Sequence, residues 1–180
     1  MKGMKTKLAK FAPLVIVLGA IILLGGLYFS QTSPTILPPA IVKLNAQLAI
    51  PLNLVAGASS CAVSGKVEII AFHSPTCPYC EAQYPMLQQL KQKYGDRLEL
   101  DYACVPIHSG DGALCQNDSS GEYLPYSQGI ALATQYQSAI QGTPTLIFDC
   151  QYARVGSYAI SDPTSEAADL DKIVSTLLQP

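Results

Sequence analysis

Residues His73 to Gly95 read HSPTCPYCEAQYPMLQQLKQKYG, and Pro78 and Tyr79 alone separate Cys77 from Cys80. Two thiols at that spacing can clamp a metal ion, staple the chain, or exchange electrons with the thiols of another molecule. A bridge across two intervening residues removes little chain entropy, so a staple here would stabilise little. Zinc would need two more ligands, drawn from Cys104, Cys115, His73 and His108, and Cys104 and Cys115 form no second close pair. Disulfide exchange asks only that one sulfur be held as a thiolate, because the thiolate is the nucleophile.

A helix N-terminus supplies that condition. VEIIAFH, from Val67, is an apolar run of strand length; SPT breaks it, and a helix is predicted from the cysteines to about Tyr94, closed by Gly95. Free N–H groups and the helix dipole favour an anion on Cys77, at the start, over one on Cys80, a turn inside. Cys77 is therefore the expected exposed attacking sulfur and Cys80 the resolving thiol. Pro78 fits because the first helical N–H has no intrahelical partner to lose.

The elements that must position this pair follow along the chain. RLELDYACV alternates Leu98, Leu100 and Tyr102 and predicts a second strand; PIHSGDGALCQNDSSG reads as a polar loop, and a helix follows from about Glu122 to Gln137. Thr143–Asp149 and Ala153–Ala159 read as two more strands across a tight turn at Cys150–Tyr152. SEAADLDKIVSTLL has a serine cap, an acidic first turn and the apolar spacing of a final helix. The order β-α-β-α-β-β-α makes the first two strands parallel across a helical crossover and the last two a hairpin. The expected fold is α/β, with a four-stranded mixed sheet flanked by helices.

The N-terminal region is of a different kind. Lys2, Lys5, Lys7 and Lys10 precede 19 uncharged residues, Phe11–Phe29, about the length of a membrane-spanning helix. That core is long for a signal peptide and GGLYFSQ offers no clean small-x-small site, so residues 1–30 read as a cytoplasmic basic tail and a retained anchor. The lysines orient it, leaving everything after Ser30 extracytoplasmic. Residues 31–61, with four prolines, read as a linker with a short helix around Ile41–Ala49, and residues 62–180 as the domain. Residues 31–180 hold seven Lys/Arg against thirteen Asp/Glu, a net charge of −6 that disfavours nucleic acid as a partner. Outside the cytoplasm, six cysteines invite pairing; beyond Cys77 and Cys80, four remain and allow three connectivities.

CPYC at a strand-to-helix junction, with GTPT at Gly142–Thr145 downstream, resembles the thioredoxin superfamily over roughly residues 62–179. The resemblance implies the thioredoxin fold, a cis Pro144 facing the cysteine pair, and a substrate chain bound along Thr143 and Pro144, with Pro78 and Tyr79 counted as further contacts. The chain departs from the family pattern in two places: Ala71 stands where many thioredoxins have a buried acid, and Thr76 where they have tryptophan. TCPYC as a string looks like a glutaredoxin, but no double glycine follows TPTLIFDC, and Gly156 matches thioredoxin. CVPIH…ALCQ before GTPT is most similar to small extracytoplasmic proteins of the DsbA type, without the large helical insertion. In that fold the strand carrying Pro144 runs antiparallel to the first, which brings Cys150 near the approach to Val67 and suggests a Cys61–Cys150 staple. Cys104–Cys115 is then a local brace or a second shuttle pair. His73 and His108 read as polar loop residues, His73 also as a candidate modulator of the Cys77 thiolate.

The expectation is a membrane-anchored, extracytoplasmic thiol-disulfide oxidoreductase needing no cofactor and no metal. It would oxidise or reshuffle cysteine-containing secreted or membrane proteins, with a membrane redox partner. The alternatives are a membrane-anchored reductase of the cytochrome-maturation type and a non-catalytic peptide-binding or zinc-binding thioredoxin-like module.

Overall fold

The computed structural model describes residues 37–179 except 58, 59, 62 and 119. The Phe11–Phe29 segment lies outside the described residues, among which no helix is long and apolar enough to cross a membrane.

The chain order is α1 (Pro39–Asn45), β1 (Asn53–Leu54), β2 (Val67–His73), α2 (Pro78–Tyr94), β3 (Leu98–Cys104), α3 (Asp111–Gln116), α4 (Tyr126–Gln135), β4 (Thr145–Phe148), β5 (Tyr152–Val155) and α5 (Pro163–Leu177). The strands form one five-stranded sheet in the order β1-β5-β4-β2-β3. β2 pairs parallel with β3 from Val67↔Leu98 to His73↔Cys104, antiparallel with β4, and β4 pairs antiparallel with β5.

β2 reads as an almost unbroken apolar run because both its faces are covered. Ile69 and Ala71 point, with Leu146 and Phe148, into a core closed by Leu87 and Leu90 of α2 and Leu170, Ile173 and Val174 of α5. Ile70 and Phe72 alternate to the other face, with Ile147, Ala153 and Tyr136, against Leu132 and Ala133 of α4.

Four sequence expectations are corrected. The supposed linker belongs in part to the domain: Ile41 and Leu44 of α1 and Leu52 are core residues, and the Asn45 side chain exchanges two 2.8 Å hydrogen bonds with the backbone of Leu52. β1 then pairs with β5, making the sheet five-stranded rather than four-stranded. The polar loop after β3 contains α3, whose Asp111 and Cys115 are buried. The final helix is capped by Asp162, whose side chain accepts from the Ser165 N–H at 3.0 Å, not by a serine.

A buried ion pair ties the last two elements together. Arg154 of β5 and Glu166 of α5 are both fully buried and meet in a forked contact at 2.9 and 2.7 Å, and Gln83 of α2 donates to the same carboxylate at 2.8 Å. Burial works against the carboxylate, but Arg154 outweighs it and the pKa of Glu166 is lowered. Removing one partner leaves the other charge buried and alone. Glu166→Ala is therefore expected to cost about 3–5 kcal/mol in urea unfolding. A loss of about 1 kcal/mol or less, as exposed pairs give, would contradict this arrangement.

Candidate active site

β2 ends at His73, and Ser74, Pro75 and Thr76 turn the chain into α2, with Cys77 as N-cap and Pro78 as the first helical residue. Cys77 has extended backbone angles (φ −89°, ψ 110°), and its Sγ accepts from the Cys80 N–H at 3.2 Å. Cys77 and Cys80 form a disulfide with Cα atoms 5.2 Å apart. A negative charge on Cys77 would meet the open N–H groups and positive dipole end of the 17-residue α2. Pro78 and Tyr79 stand out from the surface. The cysteines themselves do not: Cys77 is 6% exposed and Cys80 3%. The exposed attacking sulfur read from the sequence is thus a shielded one, because the loop before β4 covers it.

That loop carries a cis Thr143–Pro144 bond, and the carbonyl oxygen of Thr143 lies 3.4 Å from Cys77 Sγ. The Gly156 N–H donates to the Pro144 carbonyl at 2.8 Å, fastening the loop to the end of β5; Gly156 does so at φ +91°, where a side chain would strain the backbone. The structure therefore brings Cys77, Cys80, Pro78, Tyr79, Thr143 and Pro144 to one end of the sheet.

The turn before Cys77 is braced by Asp111, which no pattern in the sequence singles out. Its fully buried carboxylate accepts from Ser74 Oγ at 2.7 Å, Thr76 Oγ1 at 2.8 Å, and the backbone N–H groups of His108 and Ile107 at 2.8 and 3.1 Å. Burial alone would raise its pKa; these bonds, the His108 N–H foremost, bring it down to about 2. The Cys104–Cys115 disulfide fastens the same helix, α3, to the end of β3. Cys61 is joined to Cys150, so all six cysteines are paired in disulfides.

His73 is not a loop residue: it is the last residue of β2, 1% exposed, with its ring 5.3 Å from that of Tyr102. Burial, opposed only in part by the Gln83 side chain, lowers its pKa to about 4. His73, Cys77 and Cys80 line a cavity of about 260 Å³, together with Glu81, Tyr84, Glu122 and Tyr123. His108 is exposed beside Asp111, its Nδ1 3.5 Å from the carboxylate.

No protein-family model matches the chain, and no curated protein matches it. Solved structures do. The chain is similar to reduced DsbA1 from Neisseria meningitidis, with a TM-score of 0.52 at 18% identity over 71% of this chain and 92% of that one. It is also similar to a single-residue variant of Pseudomonas aeruginosa DsbA, with a TM-score of 0.51 at 12% identity over 73% and 95%. The likeness shows the fold, a mixed α/β sheet of the thioredoxin type.

His73 and Asp111 make stability depend on pH in the same sense. The folded pKa of His73, about 4, lies below its ordinary 6.5, so between those values only the unfolded chain takes up the proton. Its contribution is full above pH 6.5 and is lost as pH falls toward 4. That of Asp111 is present above 3.8 and lost as pH falls through about 2. Burial raises the pKa of Glu68, Asp101 and Asp149, and these act oppositely, so the readout is a difference between proteins. Urea unfolding of wild type and His73→Phe from about pH 7 to about pH 4 is expected to show the wild type losing stability relative to the variant; parallel curves would refute the buried neutral imidazole.

Proposed function

We propose that the chain is an extracytoplasmic thiol-disulfide oxidoreductase, anchored in the membrane by Phe11–Phe29, that oxidises or reshuffles cysteines of secreted or membrane proteins. The observation that carries this reading is the disulfide at the first turn of α2, with Cys77 Sγ 3.4 Å from the carbonyl of Thr143. A substrate cysteine brought against the Thr143–Pro144 loop would meet Cys77 before Cys80.

The exchange closes in two steps. A substrate thiolate attacks Cys77 Sγ; a bond forms between the substrate sulfur and Cys77, the Cys77–Cys80 bond breaks, and its electron pair leaves on Cys80. The second substrate thiolate then attacks the first substrate sulfur and expels Cys77 as a thiolate, which the helix N-terminus stabilises. The substrate has lost two electrons and the chain holds them as a dithiol, so turnover requires an oxidant; a disulfide-bearing or quinone-linked membrane protein is the class of partner that fits. Exposed Pro78 and Tyr79 and the backbone of Thr143 form the surface on which an extended peptide would lie.

Cys77→Ser is expected to abolish exchange with a model dithiol peptide, whereas Cys80→Ser should accumulate a mixed disulfide visible on non-reducing gels. Activity persisting in Cys77→Ser, or no adduct in Cys80→Ser, would overturn the roles. Cell fractionation is expected to find the full chain in the membrane; a soluble product starting beyond Ser30 would refute the anchor and leave the exchange reading standing.

A further inference from the structure

Cys80 presents a proton problem that its neighbours must solve. It is 3% exposed, and in the dithiol state its sulfur carries a proton that must leave before the sulfur can attack. When the chain is reoxidised, Cys77 is first joined to the oxidant, and Cys80 must become a thiolate to attack Cys77 Sγ and release it. The proton therefore needs an acceptor within reach of the sulfur. Position 71, six residues before Cys77, is an alanine and offers none.

The groups that line the cavity beside the sulfurs can be compared. The hydroxyls of Tyr84 and Tyr123 hold their protons more tightly than free phenols, because burial raises their pKa. Glu81 and Glu122 are exposed to water, and Glu122 already accepts from Tyr84 at 2.8 Å. His73 is the buried group of the set that stands neutral at neutral pH, because burial lowers its pKa to about 4, and it packs against Tyr102 of β3 on its other side.

Two further observations single it out. Its Nε2 is buried without a hydrogen-bond partner among the described residues, and so is Oε1 of Gln83, the side chain that favours the charged ring. Of the two influences on the ring, burial disfavours its charge and the Gln83 side chain favours it. Gln83 is itself held by its 2.8 Å bond to Glu166, whose charge is balanced by Arg154.

We propose that His73 is the general base of this site: it takes the proton from the Cys80 thiol, directly or across one water, as Cys80 attacks Cys77 Sγ, and Gln83 stabilises the imidazolium. This rests on the exchange reading above. The bookkeeping closes within the site and its oxidant. The Cys80 proton moves to the imidazole, the Cys77–Cys80 bond forms, the oxidant sulfur departs with the electron pair, and His73 returns its proton to water.

The test uses the full chain reduced only at Cys77–Cys80 and mixed with Ellman's reagent. The first release of thionitrobenzoate reports attack by Cys77, and the second, independent of reagent concentration, reports escape by Cys80. His73→Phe is expected to slow the second phase on the order of 100-fold and to move its pH midpoint upward, with the first phase unchanged. His73→Gln, which keeps a polar side chain, should show the same loss. Equal second-phase rates and pH profiles in wild type and either variant would overturn the proposal. Absence of both phases in the wild type would instead overturn the exchange reading. Should neither variant fold, imidazole ¹⁵N shifts of the reduced wild type and of Cys80→Ser decide: a second inflection present in the wild type and absent in Cys80→Ser supports the proposal, and a ring blind to Cys80 refutes it.

Discussion

Everything at the site hangs on the placement of β2. The strand is hydrogen-bonded along both edges, to β3 and to β4, and buried on both faces. A slip of one residue would turn Ile69 and Ala71 into the space of Ile70 and Phe72, and both cores would lose their fit. Its last residue, His73, is therefore fixed, and with it the point at which the chain leaves the sheet and starts α2. Cys77 and Cys80 inherit their positions from that point. The same register sets Cys104 beside His73, so the disulfide that fastens α3 begins on the strand adjoining the site.

Burial of polar groups around this junction is the second theme, and two buried carboxylates are answered in part by groups distant in sequence. Asp111 is held by Ser74 and Thr76 from 37 and 35 residues away, and Glu166 by Gln83 from 83. These contacts fix geometry more than they add stability, since a buried charge must first recover what it lost in leaving water. A turn braced from beneath and a loop laid over Cys77 keep the sulfur pair still while Pro78 and Tyr79 remain outside. That division suits a site where large partners must dock and small geometric errors are costly.

The same contrast explains what could be read from the sequence. Apolar period marked β2 and β3, Gly95 marked the end of α2, and CPYC at a strand-to-helix junction marked the chemistry. Those signals are local. The short helix expected around Ile41–Ala49 is α1, but the prolines of the stretch hide its packing, and the segment from α1 to β1 reads as a linker although Ile41 and Leu44 are core residues. α3 was hidden because Asp111, Cys115 and their glycine neighbours look like a polar loop until the partners of Asp111 are known. His73 closes the run VEIIAFH that marked β2, yet as a polar residue at the strand's end it also reads as a loop residue. Nothing in the sequence joins Arg154 to Glu166, because a buried ion pair is defined only by its enclosure.

The central claim is that Cys77–Cys80 is an exchangeable couple and not a permanent bridge. Equilibrating the purified chain against defined ratios of reduced and oxidised glutathione, then trapping and counting free thiols, tests it directly. The expected result is that this pair alone opens and closes within the glutathione range, at a potential nearer about −120 mV than about −270 mV, as suits an oxidant. A pair that stays closed until below about −300 mV, together with Cys61–Cys150 and Cys104–Cys115, would mark it as structural and contradict the account.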